Sequence, residues 1–158
     1  NGPLTRHAYE VRGELQRKLG QIEAALDDFS HAIALHPDII EDRYHRASIL
    51  RDLRRFDEAI RDLDEARRID PKNRTTDLLV GSVYAASEKL LPAFEIFDRL
   101  LAQDSQYVAA RRRRAELYVR LNRWDEAQRD ISHLQKAQHP IDSKLLNAMK
   151  NHLATLSK

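Results

Sequence analysis

The sequence predicts an all-α protein, a right-handed α-solenoid built from antiparallel helix pairs. Three observations lead there. First, the phrase RRFDEAIRDLDEARRIDP at 54–71 returns as NRWDEAQRDISHLQKAQHP at 122–140, with RFDEA and RWDEA starting 68 residues apart at Arg55 and Arg123. A blurred copy, KLLPAFEIFDRLLAQDS, lies halfway between at 89–105, and GQIEAALDDFSHAIALHP at 20–37 precedes them, so one 34-residue unit is written four times. Second, apolar positions inside each unit recur at spacings of three, four and seven, the face of a helix and not of a strand. Third, four glycines and five prolines in 158 residues leave little room for turn-rich β architecture.

In rows of 34 starting at Arg6, Ile40, Arg74 and Val108, structural positions line up as columns. The eighth column reads Gly13, Ala47, Gly81, Ala115 and the twentieth Ala25, Ala59, Ala93, Ala127. Small side chains there let two helix backbones approach closely. The seventeenth column (Ile22, Phe56, Leu90, Trp124) and the twenty-fourth (Phe29, Leu63, Phe97, Ile131) fill the space beside that contact. Each row is thus a helix A followed by a helix B. Column 32 holds Pro37, Pro71 and Ser105, then His139 with Pro140 one place late, and proline there stops helix B. One such pair cannot bury its apolar face alone, so neighbouring rows stack.

The expected organisation follows in order. Residues 1–5 are the end of an earlier repeat, Pro3 standing 34 residues before Pro37, or a tag remnant. Four repeats occupy 6–39, 40–73, 74–107 and 108–141. Residues 142–158 break the pattern. Asp142 or Ser143 offers an N-cap there, and Leu145, Leu146, Met149, Leu153 and Leu156 form one apolar stripe. A capping helix over the last repeat is the expectation; a partner-binding amphipathic helix is the sharper alternative.

The period and these columns resemble the tetratricopeptide repeat family over about residues 6–140. Departures exist: column 4, usually a bulky aromatic, holds Tyr9, Arg43, Asp77 and Arg111, and column 11 opens with Gln16. The resemblance implies a TPR-like superhelix whose A helices line a groove that takes an extended peptide or a partner helix. It implies groove positions at columns 2, 5, 9, 12 and 13. The residues expected to contact a partner are Tyr44, Ser48 and Arg51, Leu78, Ser82 and Ala85, and Arg112, Glu116 and Arg120. Leu78, Ala85 and Ala86 would form a small apolar floor, flanked by tyrosine and arginine as interaction hot spots are. The lysine and asparagine with which some family members clamp a chaperone's C-terminal carboxylate are not matched, because Glu10 and Glu14 stand in their place.

Four consecutive arginines at 111–114 invite a nucleic-acid reading. A helix turns about 100° per residue, which points them in four directions. Column 7 (Arg12, Arg46, Val80, Arg114) also varies together with column 23 (Asp28, Asp62, Ile96, Asp130). Ion pairs Arg12–Asp28, Arg46–Asp62 and Arg114–Asp130 are therefore expected between helix A and helix B, with Val80 and Ile96 replacing the pair in row three.

Composition sets the outer limits. With 27 basic and 25 acidic side chains the net charge is +2, near balance and not a surface built for nucleic acid. There are no cysteines, hence no disulfides or thiolate zinc sites. No apolar run approaches the roughly 18–20 residues of a membrane span. The chain opens NGPLT without methionine, which reads as an excised or processed start, so the compartment stays open with a soluble cytoplasmic default. Seven histidines show neither HExxH nor an i, i+4 metal pair, and surface placement is expected for them all. Asp57/Arg61, Asp64/Arg68 and Asp125/Arg129 are expected as i, i+4 pairs on solvated faces. Neither a Gly-rich phosphate loop nor a GxSxG motif is present, so no enzyme, cofactor, metal or small-molecule substrate is expected. The expected function is a protein–protein interaction module, an adaptor or scaffold. The alternative is an assembly element that stacks on further repeats or on another copy of itself.

Overall fold

The computed structural model describes residues 4–137 and 139–156, without the side chains of Leu153 and Leu156. The reading of residues 1–3, and of those two leucines in the apolar stripe, therefore lies outside the described residues. Among the described residues there are nine α-helices and no strands. They are α1 (Arg6–Lys18), α2 (Ile22–Leu35), α3 (Ile40–Asp52), α4 (Phe56–Ile69), α5 (Arg74–Ala86), α6 (Leu90–Gln103), α7 (Val108–Arg120), α8 (Trp124–Lys136) and α9 (Ser143–Leu156). The chain divides into two compact units, 1–87 and 88–158. That division falls between α5 and α6, inside the third 34-residue row.

In the first unit α1 packs on α2, α2 on α3, α3 on α4, and α4 and α3 on α5. Its core holds Ala25, Phe29, Ala32, Ala59, Leu63 and Ala66, each without solvent exposure. The alanines admit close helix approach, and Gly13 on α1 shows how close. A Cβ added to Gly13 would stand 3.2 Å from Phe29 Cε2 and Cζ. In the second unit α6 packs on α7, and α7 on α8 and α9. Ala115, Ala127 and Ile131 form a core there with Leu145 and Met149, so α9 covers the end of the α7–α8 pair with its apolar stripe. Asp142 Oδ1 accepts from Lys144 N at 2.7 Å and starts that helix.

The link from helix A to helix B repeats one geometry. Gly20, Arg54, Glu88 and Asn122, all in column 15, adopt left-handed φ of 76°, 62°, 61° and 57°. The reversal lets the chain close a six-residue bond at the end of helix A: Gln21 N to Gln16 O at 2.9 Å, Arg55 N to Leu50 O at 2.8 Å and Arg123 N to Tyr118 O at 2.8 Å. Helices α2, α4 and α6 end two residues before the column-32 position, with His36, Asp70 and Asp104 between as C-caps. Proline sits just past the cap, where no helical N–H is needed.

Candidate functional site

The arginine–aspartate columns meet across each of three helix pairs. Arg12 donates to Asp28 at 2.7 and 2.6 Å, Arg46 to Asp62 at 2.8 and 2.5 Å, and Arg114 to Asp130 at 2.8 and 2.7 Å. Each uses Nε and Nη2 as a two-pronged fork on one carboxylate, the geometry that fixes orientation most strongly. The remaining Nη1 reaches the preceding helix B: Arg46 to Ser30 Oγ at 2.9 Å and Arg114 to Asp98 Oδ1 at 2.6 Å. The Asp130 and Asp98 bonds together hold Arg114 above its ordinary pKa despite half-burial. In row three Val80 and Ile96 are both buried.

The four consecutive arginines have four sets of partners. Arg111 donates to Asp130 and to the Ser105 carbonyl, Arg112 to the Pro140 carbonyl, Arg113 to Glu116, and Arg114 to Asp130 and Asp98. The arginines of column 4 share a task. Arg43 donates to the Pro37 carbonyl at 2.7 Å as Arg111 does to Ser105, each closing the loop six residues before it. Asp77, in the same column, receives Arg67 from α4 at 3.0 Å. Polar column 4 thus anchors the preceding helix B, where an aromatic would pack against it.

The residues expected to line a groove are placed unevenly. In the first unit Leu78 and Ser48 are half-buried, and Tyr44 donates or accepts a 2.6 Å bond with Thr76 Oγ1 that ties α3 to α5. Arg51 lies against the exposed carboxylate of its neighbour Asp52 at 2.7 Å. Ser82 and Ala85 depart from expectation. Both are buried, and Ser82 Oγ donates to the Leu78 carbonyl at 2.9 Å, so neither is part of an exposed floor. The small size of these two residues on α5 lets it pack closely. In the second unit Arg112 is drawn to the Pro140 carbonyl at 3.0 Å, with its Nε buried and without a partner. Glu116 and Arg120 line an open cleft of about 360 Å³ between α7 and α9, together with Val119, Lys144, Leu145 and Ala148. Arg120 Nη2 also reaches Glu88 Oε1 at 2.7 Å.

Several contacts were not foreseen. Arg6 grips the fully buried Asp42 at 2.7 and 2.9 Å, joining α1 to α3. Three histidines stack on aromatic rings instead of standing free: His31 on Tyr9 at 4.9 Å, His45 on Phe29 at 5.2 Å and His152 on Trp124 at 4.2 Å. Of the expected i, i+4 pairs, Asp64/Arg68 gives way to other partners, and Arg129 meets the Asp125 carbonyl instead of its carboxylate. Arg68 pairs with Glu65 and Arg67 with Asp64, and Arg55–Glu58 and Arg123–Glu126 follow the same i, i+3 rule. Among the described residues no group of three or more His, Asp or Glu is placed to hold a metal ion, and no helix is long and apolar enough to cross a membrane.

Comparison with known proteins agrees with this architecture. Tetratricopeptide repeat profiles match residues 11–74, 44–107 and 84–150. The DnaJ homolog subfamily C member 7 homolog of Schizosaccharomyces pombe is 26% identical over 148 residues, covering 82% of this chain and 30% of that protein. The chain thus spans under a third of that relative's length. A thermophilic TPR protein of Thermus thermophilus superposes with a TM-score of 0.79 at 24% identity, over 97% of this chain and 84% of that one. The first TPR domain of Spaghetti (RPAP3), bound to the HSP90 peptide SRMEEVD, gives 0.60 at 18% identity over 83% and 94%. With helix pairs, column-15 turns and small-residue contacts recurring every 34 residues, this all-α chain belongs to the tetratricopeptide repeat family of solenoid proteins, whose members are protein–protein interaction modules.

Proposed function

We propose that this chain is a non-catalytic adaptor that captures an extended segment of a partner protein on its helix-A faces, seating one apolar side chain in the α7–α9 cleft. The observation that supports this is the cleft itself. Val119, Leu145 and Ala148 form an apolar floor, and Arg120, Lys144, Glu116 and Asp142 stand on its rim. Three of its residues fall in the columns that the family uses for partners. An apolar anchor with a polar rim is how small interfaces concentrate their affinity. An acidic chaperone tail is the wrong ligand for α1, because Glu14 stands there as a carboxylate held below its ordinary pKa by the Arg17 guanidinium.

The test is a peptide-library screen with the whole chain beside Val119→Lys and Ala148→Glu variants of retained helicity. Peptides that bind the parent at least about tenfold more tightly than both variants, a difference of about 1.4 kcal/mol, support the reading. Binding indifferent to both changes removes it.

A second reading, assembly through α1, has its own observation. Column 10 is buried in Ile49, Val83 and Leu117 at 2–3% exposure, but Leu15 in the same column is 55% exposed, beside an exposed Val11. Arg12 also lacks the third contact that Arg46 and Arg114 make to a preceding helix B. This face suits one more helix pair of the same type, with a serine or aspartate for Arg12. Sedimentation of the whole chain against a Leu15→Glu variant tests it: a mass that rises with concentration only in the parent favours assembly.

A further inference from the structure

The opposite side of α7 carries a second feature. Arg111, Arg114 and Tyr118, at helical spacings of three and four, face away from Glu116, Val119 and Arg120. With α8 they wall an open cleft of about 410 Å³. It contains four guanidiniums, Arg111, Arg114, Arg123 and Arg129, against two carboxylates, Glu126 and Asp130.

The same chain supplies a control. Sixty-eight residues earlier, Arg43, Arg46, Arg55 and Arg61 with Glu58 and Asp62 wall an equivalent cleft on α3–α4. There Glu65 occupies the place of His133, Leu50 that of Tyr118, and Glu23 and Asp27 from α2 complete the wall. Five carboxylates thus cover four arginines in the first cleft. In the second, even counting Asp98, which takes Arg114 Nη1, three face four. Position 91, matching Glu23, is an exposed leucine. Relative to the first cleft, Leu91 stands for Glu23 and His133 for Glu65, Glu95 keeps the place of Asp27, Asp98 replaces Ser30, and a phenol stands where Leu50 does.

The cations are not equally engaged. Arg111 and Arg114 are committed to Asp130. Arg123 is bonded through Nε and Nη2 to the half-buried Glu126 and lies over the Tyr118 ring at 4.8 Å. Arg129 reaches only the Asp125 carbonyl, at 3.4 Å, and is exposed. Arg129 thus presents an exposed guanidinium held by one long bond, and Arg123 stands beside it on a single carboxylate.

We infer that the α7–α8 cleft receives a phosphorylated side chain of a partner polypeptide, with Arg129 and Arg123 as its forks and Tyr118 as its wall. A phosphoryl group brings three acceptor oxygens and a charge of about −1.5 to −2, which matches forked guanidinium donors better than one carboxylate does. This site is separate from the α7–α9 cleft and stands without it.

The test uses the whole ¹⁵N-labelled chain at constant ionic strength, titrated with phenyl phosphate and with benzoate while arginine Nε–H signals are followed. In parallel a phosphopeptide array is probed beside its unphosphorylated counterpart. Expected are saturable shifts at Arg123 and Arg129 with phenyl phosphate, at least about fivefold weaker with singly charged benzoate. Arg129→Gln should weaken binding about tenfold, and Arg61→Gln, the matched position in the acid-rich cleft, should leave it unchanged. On the array, phosphorylated spots should be retained by the parent and lost by Arg129→Gln. Equal response to benzoate, equal loss in Arg61→Gln, or an array signal indifferent to phosphorylation overturns the proposal. So does tighter binding to a mixed-sequence RNA oligonucleotide than to any phosphopeptide.

Discussion

Arg114 and Asp130 stand 16 residues apart in the chain and meet through two parallel hydrogen bonds, Nε to Oδ2 at 2.8 Å and Nη2 to Oδ1 at 2.7 Å. Asp130 is only 2% exposed and also receives Arg111. Desolvating such a carboxylate is costly, and only the guanidiniums offset it. The pair therefore fixes how helix A meets helix B more than it adds net stability.

That distinction is measurable. Asp130→Ala strands two half-buried guanidiniums and should cost about 3 kcal/mol. For a chain of this size that lowers Tm by ~6–12 °C. The joint change Arg114→Val/Asp130→Ile, which writes the row-three residues into row four, should stay within about 1 kcal/mol of the parent. Arg111 keeps the Ser105 carbonyl in that variant. Additive losses in a thermal double-mutant cycle, or a neutral Asp130→Ala, would show that the pair does not act as a unit.

Gly13 and Phe29 give a prediction of the opposite kind, about space. The added Cβ of alanine would meet the Phe29 ring at 3.2 Å and Asp28 Cβ at 3.3 Å. Phe29 is fully buried and stacked on His45, so the ring has little freedom to yield. Columns 8 and 24 carry the same logic: glycine stands with Phe29 and Phe97, alanine with Leu63 and Ile131. Gly13→Ala should gain about 1 kcal/mol of helix propensity but lose more to overpacking, for a net loss of about 1 kcal/mol. In a Phe29→Leu background the same substitution should stabilise. Denaturant melts of the four chains decide it, and an equal effect in both backgrounds would remove the steric account.

Much of this fold was legible because the chain writes each position four times. The helix pairs, the Arg–Asp columns and the small-residue contacts could be read from columns that vary together. What repetition does not sample could not be read. Asp42 shares its column with Ala8, Thr76 and Ala110, so its bond to Arg6 has no second instance to reveal it. Pro140 stands one place late in the fourth row, a shift the other rows do not have, so the bond Arg112 donates to its carbonyl has no counterpart in the columns. Ser82 and Ala85 were read as surface from family columns, but small residues let α5 pack closely enough to be covered. The α7–α9 cleft was half legible: its α7 wall lay in the expected columns, and its α9 wall did not.

Arg54 sits at φ 62°, a left-handed conformation that its Cβ disfavours by roughly 1–2 kcal/mol. Gly20 occupies the same column without that penalty. Arg54→Gly should therefore stabilise by about 0.5–1 kcal/mol, the relief of strain exceeding glycine's extra freedom when unfolded. It gives up the packing of the guanidinium over the Phe56 ring at 5.7 Å. Arg54→Ala separates the two effects, since it loses that contact and keeps the Cβ. Glycine should raise Tm and alanine lower it slightly. If both shift Tm alike, the backbone conformation is not what limits stability at this turn.

The last argument concerns α9. Met149 and Leu145 are each about 95% buried in the core formed with Ala115, Ala127 and Ile131, and His152 stacks on Trp124 at 4.2 Å. A cap that supplies this much of the second unit's core should fail visibly when one side chain is made polar. Met149→Asp places a carboxylate in an apolar site without a partner, and should cost about 3–5 kcal/mol through lost packing and desolvation together. Met149→Leu, which keeps the volume, should cost less than about 1.5 kcal/mol. Tryptophan fluorescence reports the site directly, because Trp124 is the chain's one tryptophan and the partner of His152 in that stack. In Met149→Asp its emission should shift to the red before the helical signal is lost, since α9 detaches ahead of the helices beneath it. Coincident loss of both signals in parent and variant would mean instead that α9 unfolds only with the rest of its unit.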